Sequence, residues 1–475
     1  MIKSLTNPKY NGSCVYIHNY SLFDGVFLLN SISSLLNKKY RIKVLINNDK
    51  MISTTISKDD FKITIFDSYL LLPSSLNKLA KNFNLEDKIN WDHNIQNVKP
   101  LSLIRNKLIE YNKHDCWLLY EIIKKFGIKV QNDFNVDILS CSTLPSLALK
   151  VFRTQFQFHN IPITWNEDYK FFKQAYFGGH VDVYKPHGKN LYYYDVNSLY
   201  PYVMKFNEFP IGKAVKFQGK RDLDTIFGVV QCEIETPKDL YCPVLLKNDN
   251  GKVYAPLGKW TGWYCSEELK FAETLGYKIK VLQGYHWDNK AFVFTSYVDF
   301  LYNLRISTPK GSVDNLICKL LLNSLYGRFG MAPIRDEYKF IFRNSIKSYD
   351  DVINLYHDSN IYPVGNDIDL ISKPINYNVQ ANFMANQINS INLMNISTPL
   401  ALFTTAYARI YINKIKNQFS NNLYYSDTDS IVLDCELPNN LVSDTELGKF
   451  KLENFVEEGI FISPKSYCLK LPDAL

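Results

Sequence analysis

Two aspartates stand one residue apart in the segment YSDTDS, residues 425–430. The apolar runs on either side, residues 423–425 and 431–433, predict two short strands, and the polar residues between them predict a tight turn. Because alternate side chains of an extended segment face the same way, we expect Asp427 and Asp429 to project together. Two close negative charges favour a neutralising cation, and Mg²⁺ prefers oxygen ligands of this kind. For this segment alone, an ordinary solvated acidic turn is the alternative.

A carboxylate that could act together with the hairpin lies upstream: Asp195, in NLYYYDVNSLYPYVM, residues 190–204. The pattern predicts a strand that ends near Asp195, followed by a helix with Ser198 as a candidate N-cap. If this strand lies beside the hairpin, Asp195 and Asp429 could share two divalent ions, the arrangement used for in-line phosphoryl displacement. The alternative is a strand-end aspartate that caps a helix.

A third segment, TPKGSVDNLICKLLLNSLYGRFG, residues 308–330, has the apolar spacing of a helix with one buried face. We expect Gly327 to end this helix. Lys319, Asn323 and Tyr326 follow the spacing i, i+4, i+7 and form a second stripe about 10 Å long. A nucleoside triphosphate is of similar length, so Lys319 would meet phosphates and Tyr326 would lie near the base. Taken alone, a lysine in the middle of a helix is usually solvated.

Composition limits the class of protein. A chain of 475 residues is long enough for two or three domains, and a formal net charge of +7 mildly favours a polyanionic partner. The nine cysteines form no CxxC pair, so neither a zinc ribbon nor a disulfide framework is indicated. No apolar stretch of membrane-spanning length and no targeting peptide is recognisable in the sequence.

Together, DVNSLYP, KLLLNSLYG and YSDTDS resemble, in this order, motifs A, B and C of the family B DNA polymerases. The gaps between them leave room for insertions, which resembles the protein-primed branch of phages, adenoviruses and linear mitochondrial plasmids. A reverse transcriptase is disfavoured, because its motif C carries adjacent aspartates, whereas Thr428 separates Asp427 from Asp429.

The resemblance implies a mixed α/β multidomain fold. A partial RNase H-like 3′-5′ exonuclease domain would be followed by a right-hand polymerase palm and fingers with two insertions, and the thumb would be missing. The implied divisions are an exonuclease-like domain at 1–145, a linker at 146–180, the palm at 181–205 and 397–475, a first insertion at 206–305, fingers at 306–331 and a second insertion at 332–396.

The resemblance also implies roles at the polymerase site. Asp195 and Asp429 would bind two Mg²⁺ ions, or Mn²⁺, with the Val196 carbonyl assisting and Asp427 supporting the site. Tyr200 would clash with a 2′-hydroxyl and so favour deoxynucleotides. The residues expected to contact the incoming nucleotide are Ser198, Leu199, Tyr200, Lys319, Asn323, Tyr326 and Gly327.

Three shorter matches imply DNA contacts. YFGG at 176–179 resembles the YxGG element of this branch, TAYAR at 405–409 its TxxAR element, and PKSY at 464–467 its KxY motif. The glycines would let the backbone approach a DNA strand, and Arg409 would reach a phosphate. The residues expected at DNA are Tyr176, Gly178, Gly179, Arg409, Lys465 and Tyr467.

The amino-terminal third resembles the proofreading nuclease of the same family. Asn19 and Asp24 match its second motif, Tyr111 and Asp115 match its third, and Ser68 is expected to touch single-stranded DNA. The first motif, DxE, is absent, because residues 1–23 contain no acidic residue. We therefore expect no proofreading by this chain. Only eight residues follow the KxY motif, so no thumb is expected.

The main hypothesis is a monomeric DNA-directed DNA polymerase that uses primer-template DNA, deoxynucleoside triphosphates and a terminal protein primer. It would replicate a linear DNA element, with a mitochondrial plasmid as the predicted setting and no membrane partner. The competing hypothesis is a catalytically incomplete fragment that only binds DNA or the terminal protein.

Overall fold

The computed structural model describes most of the chain. The residues outside the description are 1, 34, 36–39, 48–49, 92–99, 165, 333, 347, 358, 366, 377–395 and 473–475. The described residues belong to two compact units. The first unit comprises Met1–Gln155, Tyr302–Ser324 and Ile334–Ser390, and the second comprises Phe156–Leu301, Leu325–Pro333 and Ile391–Leu475.

Strands and helices alternate irregularly along the chain. The strands are β1 Cys14–Ile17, β2 Arg41–Asn47, β3 Lys50–Lys58, β4 Phe61–Asp67, β5 Val181–Val183, β6 His187–Val196, β7 Phe209–Pro210, β8 Val215–Gln218, β9 Gly228–Glu235, β10 Lys247–Asp249, β11 Lys252–Tyr254, β12 Lys259–Cys265, β13 Lys278–His286, β14 Lys290–Ala291, β15 Ile334–Phe342, β16 Asn360–Gly365, β17 Ile368–Asn376, β18 Leu423–Asp427, β19 Ser430–Leu433, β20 Phe450–Ser463 and β21 Ser466–Lys470. The α-helices are α1 Ile2–Leu5, α2 Asp24–Ser33, α3 Leu76–Asn82, α4 Leu101–Phe134, α5 Leu144–Gln155, α6 Asn166–Ala175, α7 Leu199–Phe206, α8 Ser266–Thr274, α9 Thr295–Ser307, α10 Val313–Phe329, α11 Tyr349–Tyr356 and α12 Thr398–Gln418.

The first unit contains a seven-stranded sheet in the order β1-β4-β3-β2-β15-β17-β16. Only β1 and β4 pair in parallel in this sheet. In β4 the sequence FKITIFD alternates, and Ile63, Ile65 and Asp67 face the interior. Each fully buried isoleucine contributes about 1.5–3 kcal/mol to the fold. The alternation also carries the Asp67 carboxylate into the interior, where it must find hydrogen-bond donors.

The second unit contains a six-stranded sheet in the order β21-β20-β6-β19-β18-β5. One face of this sheet packs against α7 and α12 through a cluster that includes Val196, Leu199, Ile412 and Ile431. A sheet covered in this way holds its strand ends rigidly, which is the property that a site with precise geometry requires.

A separate four-stranded sheet in the same unit has the order β12-β9-β13-β8, with α8 packed against it. It lies within residues 206–305, which were predicted to be the first insertion. The second predicted insertion, 332–396, contributes β15–β17 to the sheet of the first unit, and its residues 377–395 lie outside the description. The first unit continues through α5 to Gln155, beyond the predicted limit at residue 145. In the part of the chain that is described, no helix has the length and apolar character needed to cross a bilayer.

Candidate active site

The YSDTDS segment forms the predicted hairpin. β18 ends at Asp427, β19 begins at Ser430, and these two residues are paired. Thr428 has a left-handed φ of 58°, and the backbone N–H of Asp429 donates to the carbonyl of Asp427 at 2.7 Å. Because the chain reverses at Thr428, the alternation of an extended strand does not apply across the turn. The predicted reason for a shared direction of Asp427 and Asp429 is therefore wrong, although their charges still interact.

The strand that carries Asp195 lies beside this hairpin, as predicted. β6 pairs with β19, and Asp195 stands opposite Ser430. The backbone N–H of Val196 donates to the carbonyl of Asp429 at 2.9 Å. This pairing fixes Asp195 next to the turn by main-chain hydrogen bonds, whose geometry does not depend on side-chain rotamers.

The electrostatics of the carboxylates differ sharply. Burial and the nearby charge of Asp429 raise the pKa of Asp195 to about 7. Burial and the charge of Asp427 also raise the pKa of Asp429. Asp427 itself has a cation partner, because it pairs with Lys465 Nζ at 2.8 Å and accepts a hydrogen bond from Thr428 Oγ1 at 3.0 Å. Among the described residues, no lysine or arginine forms an ion pair with Asp195 or Asp429.

These two carboxylates fit the chemistry of a divalent cation site. They are half-buried, they repel each other, and their oxygen atoms are suitable ligands for a hard cation. A divalent cation would relieve the repulsion that contributes to their raised pKa values. Within the described ranges, no group of three or more His, Cys, Asp or Glu side chains is arranged to hold an ion. Mg²⁺ usually takes only one or two protein carboxylates and completes its coordination with phosphates and water.

A group of tyrosines lies near the carboxylates in the second unit. Tyr200 stacks on Tyr326 with ring centroids 4.3 Å apart and an interplanar angle of 23°. Tyr176 lies against Gly330, where an added Cβ would come within 2.6 Å of its ring. Burial raises the phenol pKa values of Tyr200, Tyr326 and Tyr176, the last to about 12. Tyr200 is thus held by packing, and it sits close enough to Asp429 to feel its charge.

Ser198 and Leu199 begin the helix that carries Tyr200. Ser198 occupies the N-cap position, but its side chain does not cap α7. The reason is its left-handed backbone, with φ 54° and ψ 58°, whereas a capping side chain needs the β conformation. Leu199 is buried in the core of the second unit, so only its backbone could meet a nucleotide.

Gly327 does not end its helix, because α10 continues to Phe329. A mid-helix glycine costs about 1 kcal/mol relative to alanine, less than the burial of Leu325 and Phe329 on either side contributes. Gly327 is exposed, and an added Cβ would meet no atom within 4 Å. Lys319 and Asn323 are exposed on the part of α10 that belongs to the first unit.

Arg409 was predicted to reach a DNA phosphate, and this prediction is wrong for the structure. The side chain is 2% exposed and forms a bidentate ion pair with Glu268, at 2.6 and 2.8 Å. Its third nitrogen donates to the carbonyls of Phe177 and Gly178 at 2.6 and 2.9 Å. With all three guanidinium nitrogens hydrogen-bonded in the interior, Arg409 instead connects α12, α8 and the YFGG segment.

The remaining predicted DNA contacts lie around the hairpin. An added Cβ on Gly179 would lie 2.3 Å from Thr428 Oγ1, so Gly179 is required by close packing against the turn. Gly178 has open space at the same position. The backbone N–H of Lys465 donates to the Tyr425 hydroxyl at 3.0 Å. Tyr467 is 42% exposed. The KxY segment therefore lies beside YSDTDS.

In the nuclease-like region, Asn19 and Asp24 follow the end of β1, and Ser68 follows the end of β4. Asn19 has a left-handed φ of 65°, and its N–H donates to Asp67 at 2.9 Å. Asp24 begins α2. Ser68 is buried and contacts His18 Nδ1 at 3.0 Å, so the predicted contact of its side chain with single-stranded DNA is wrong for this structure.

Tyr111 and Asp115 share a face of α4 and meet the same lysine. Lys88 pairs with Asp115 at 3.0 Å and lies 4.9 Å from the ring centroid of Tyr111. The other carboxylate oxygen of Asp115 is buried without a hydrogen-bond partner in the described structure. Sequence reasoning did not single out Lys88, because nothing in its local pattern distinguishes it from a solvated lysine.

Sequence reasoning also missed Glu268, His180 and Lys416. Lys416 contacts His180 in the interior, at 3.0 Å between Nζ and Nδ1. Of these three, only Lys416 could have been singled out from the sequence. It follows Arg409 by seven residues and so falls on the same face of a largely apolar helix.

Comparison with known proteins shows the family of this chain. The family model of DNA polymerase type B, organellar and viral, matches residues 4–102 and 86–422. A probable DNA polymerase of Neurospora intermedia is 33% identical over 98% of this chain and 52% of its own length. One of Podospora anserina is 33% identical over 99% of this chain and 46% of its own. A DNA polymerase of Bacillus phage Nf is 24% identical over 95% of this chain and 77% of its own. The chain thus spans about half the length of these fungal relatives.

Solved structures show the same fold. Phi29 DNA polymerase complexed with single-stranded DNA matches with a TM-score of 0.72 and 20% identity, over 99% of this chain and 80% of that one. The ternary complex of the same polymerase with primer-template DNA and incoming nucleotide substrates gives a TM-score of 0.75 and 19% identity, over 99% and 81%. The resemblance predicted from the three motifs is confirmed. The chain belongs to the organellar and viral DNA polymerases of type B.

Proposed function

We propose that this chain adds deoxynucleotides to a 3′-hydroxyl under the direction of a DNA template. The observation that carries the proposal is the pairing of β6 with β19, which holds Asp195 beside Asp429 at a hairpin tip. Membership of the polymerase family supports the same reaction. The family alone would also fit a chain that had lost catalysis, so the geometry of the two carboxylates is the decisive argument.

Asp195 and Asp429, with the Val196 carbonyl, would hold the divalent cations. When bound there, Mg²⁺ or Mn²⁺ would supply the Lewis acidity that activates a 3′-hydroxyl and stabilises leaving pyrophosphate. Asp427 would stay outside the coordination sphere, because it already pairs with Lys465 at 2.8 Å. Its role would be to hold Lys465 and the KxY segment next to the hairpin.

On the second unit, the nucleotide would meet α7 and the end of α10, where the exposed backbone at Gly327 would leave room for the nascent base pair. On the first unit, Lys319 stays a predicted phosphate contact and Asn323 a predicted nucleotide contact. The Tyr200 ring, braced by Tyr326 at 4.3 Å, would stand against the sugar and reject a 2′-hydroxyl. A braced ring discriminates better than a mobile one, because it cannot rotate to make room.

Protein priming and the cellular setting are finer proposals. We propose a terminal protein as primer and a linear plasmid in the mitochondrion as the replicated element. The fungal and phage relatives support this proposal. The test is whether the chain, incubated with a labelled deoxynucleotide and the proteins that copurify with it, labels one of them covalently in a template-dependent way.

The main proposal is tested by single-nucleotide extension of a labelled primer on a short template with Mg²⁺. Asp429→Asn should slow incorporation by about 10³-fold, because several kcal/mol of charge stabilisation are lost, while primer-template affinity stays unchanged. Asp444→Asn, an exposed aspartate beyond the hairpin, is the matched control and should extend at the wild-type rate. Extension by Asp429→Asn at the wild-type rate would refute the assignment. Binding without extension by all three proteins would favour the fragment that only binds DNA.

A further inference from the structure

Two buried cationic side chains of α12, Arg409 and Lys416, contact the segment Phe177–His180. Arg409 and Lys416 are seven residues apart, which is two helical turns, and they are 2% and 0% exposed. Arg409 donates to the carbonyls of Phe177 and Gly178. Lys416 Nζ lies 3.0 Å from Nδ1 of His180. The same helix face therefore fixes both ends of this short segment.

The segment in turn holds the tip of the YSDTDS hairpin. The carbonyl of His180 accepts a hydrogen bond from the backbone N–H of Thr428 at 2.9 Å. Gly179 packs directly against the Thr428 side chain. Thr428 is β-branched and has a left-handed φ of 58°, a conformation that costs about 1–3 kcal/mol and persists only with support from its surroundings. The contacts of residues 179 and 180 supply that support.

The charge of Lys416 is not needed for packing. Its Nζ lies 5.2 Å from the ring centroid of Tyr184, and its backbone carbonyl accepts a contact from the Cys242 thiol. Burial lowers the pKa of Lys416 to about 8. A methionine of similar shape would fill the same space without burying a charge, so keeping a cation here costs stability.

His180 can accept the hydrogen bond from Lys416 because its ring is neutral. Burial and the charges of Lys416 and Arg409 lower the pKa of His180 to about 4. Its Nε2 faces the Asp182 carboxylate at 3.6 Å, beyond hydrogen-bond length. The groups that face Lys416 are thus neutral His180, the Asp182 carboxylate, the Cys242 thiol and the Tyr184 phenol.

We propose that Lys416 and His180 are positioning residues of the polymerase site. They hold the Thr428 turn in its left-handed conformation and thereby set the placement of Asp429 for cation binding. The inference rests on the proposed function, because it assumes a cation site that serves nucleotide addition. Metal binding nevertheless tests it without any measurement of catalysis. The stability that the buried charge of Lys416 costs is thus exchanged for a fixed conformation of the Thr428 turn.

The test measures Mn²⁺ binding by electron paramagnetic resonance. Single-nucleotide incorporation by the whole chain is measured alongside it. Lys416→Met should weaken Mn²⁺ binding by about 10-fold, the usual effect of removing a group that orients a ligand. It should lower kcat, raise the Mg²⁺ concentration for half-maximal rate and leave the KM for the nucleotide unchanged. Lys414→Met, which removes an exposed lysine of the same helix, should match the wild type in every measurement.

A second pair of variants covers the case in which Lys416→Met does not fold. His180→Leu removes the acceptor and should weaken Mn²⁺ binding, whereas His180→Asn keeps an oxygen near the position of Nδ1 and should restore it in large part. Equal weakening by both, or wild-type binding by Lys416→Met, would overturn the proposal. If the wild type binds Mn²⁺ but extends no primer, the proposed function fails while the binding data still decide this inference.

Discussion

Asp67 in the first unit and Asp195 in the second unit both lie at the end of a strand, and their surroundings are opposite. Asp67 accepts from the backbone N–H groups of Asn19, Ser21 and Tyr69 at 2.8–2.9 Å, and from the Ser21 hydroxyl at 2.5 Å. Asp195 has a second carboxylate beside it, and its pKa is raised to about 7. One carboxylate is satisfied by its own chain, and the other is not.

This difference separates carboxylates that hold the fold from carboxylates that can hold a ligand. Glu268 belongs to the first kind although it lies in the second unit, because Arg409 neutralises it completely. The distinction is therefore one of local partners and not of the unit in which a residue lies. Neutralising a carboxylate of the first kind should cost stability, whereas neutralising one of the second kind should cost activity.

The largest loss of stability is expected for Glu268→Gln. The substitution leaves the Arg409 guanidinium buried without its counter-ion, which costs about 3–5 kcal/mol. Urea denaturation of the variant and the wild type measures the difference. The double variant Glu268→Leu/Arg409→Met is the control, because it removes both charges and should recover much of the loss. A single variant as stable as the wild type would show that the pair does not hold these elements together.

A smaller loss is expected for Asp67→Asn. The amide nitrogen must face at least one of the N–H groups that now donate to Asp67, which leaves buried donors without an acceptor and costs about 1–3 kcal/mol. The same denaturation experiment measures it. Primer extension should be unchanged in this variant under conditions in which it is folded. A loss of extension without a loss of stability would mean that Asp67 belongs with the reactive carboxylates.

The smallest change in stability is expected for Lys416→Met, which extends the comparison from buried carboxylates to a buried cation. The pKa of Lys416 is lowered from 10.5 to about 8, so its buried charge costs stability fully below pH 8, and the cost disappears as pH rises towards 10.5. Lys416→Met should therefore be more stable than the wild type at pH 7, and the advantage should shrink by pH 10. Chemical denaturation at both pH values measures the difference. An advantage that does not change with pH would show that Lys416 carries no buried charge.

The sequence predicted those parts of the site that depend on local pattern. Two apolar runs on either side of a polar turn located the YSDTDS hairpin, and the strand pattern before VNSLYP placed Asp195 near the end of a strand. The partners of the interior charges could not be predicted, because Arg409 and Glu268 are 141 residues apart and Lys416 and His180 are 236 apart. Resemblance to a motif placed Arg409 at DNA, since a motif records a residue type and not the direction of its side chain.

The most direct test of the account compares Asp195→Asn with Asp115→Asn in single-nucleotide extension with Mg²⁺. Asp115 is the matched control, because it already has a cation partner in Lys88 at 3.0 Å. We predict that Asp195→Asn loses about 10³-fold in rate while it folds and binds primer-template DNA like the wild type, and that Asp115→Asn extends normally. Equal extension by both variants would contradict the claim that Asp195 and Asp429 form the catalytic metal site.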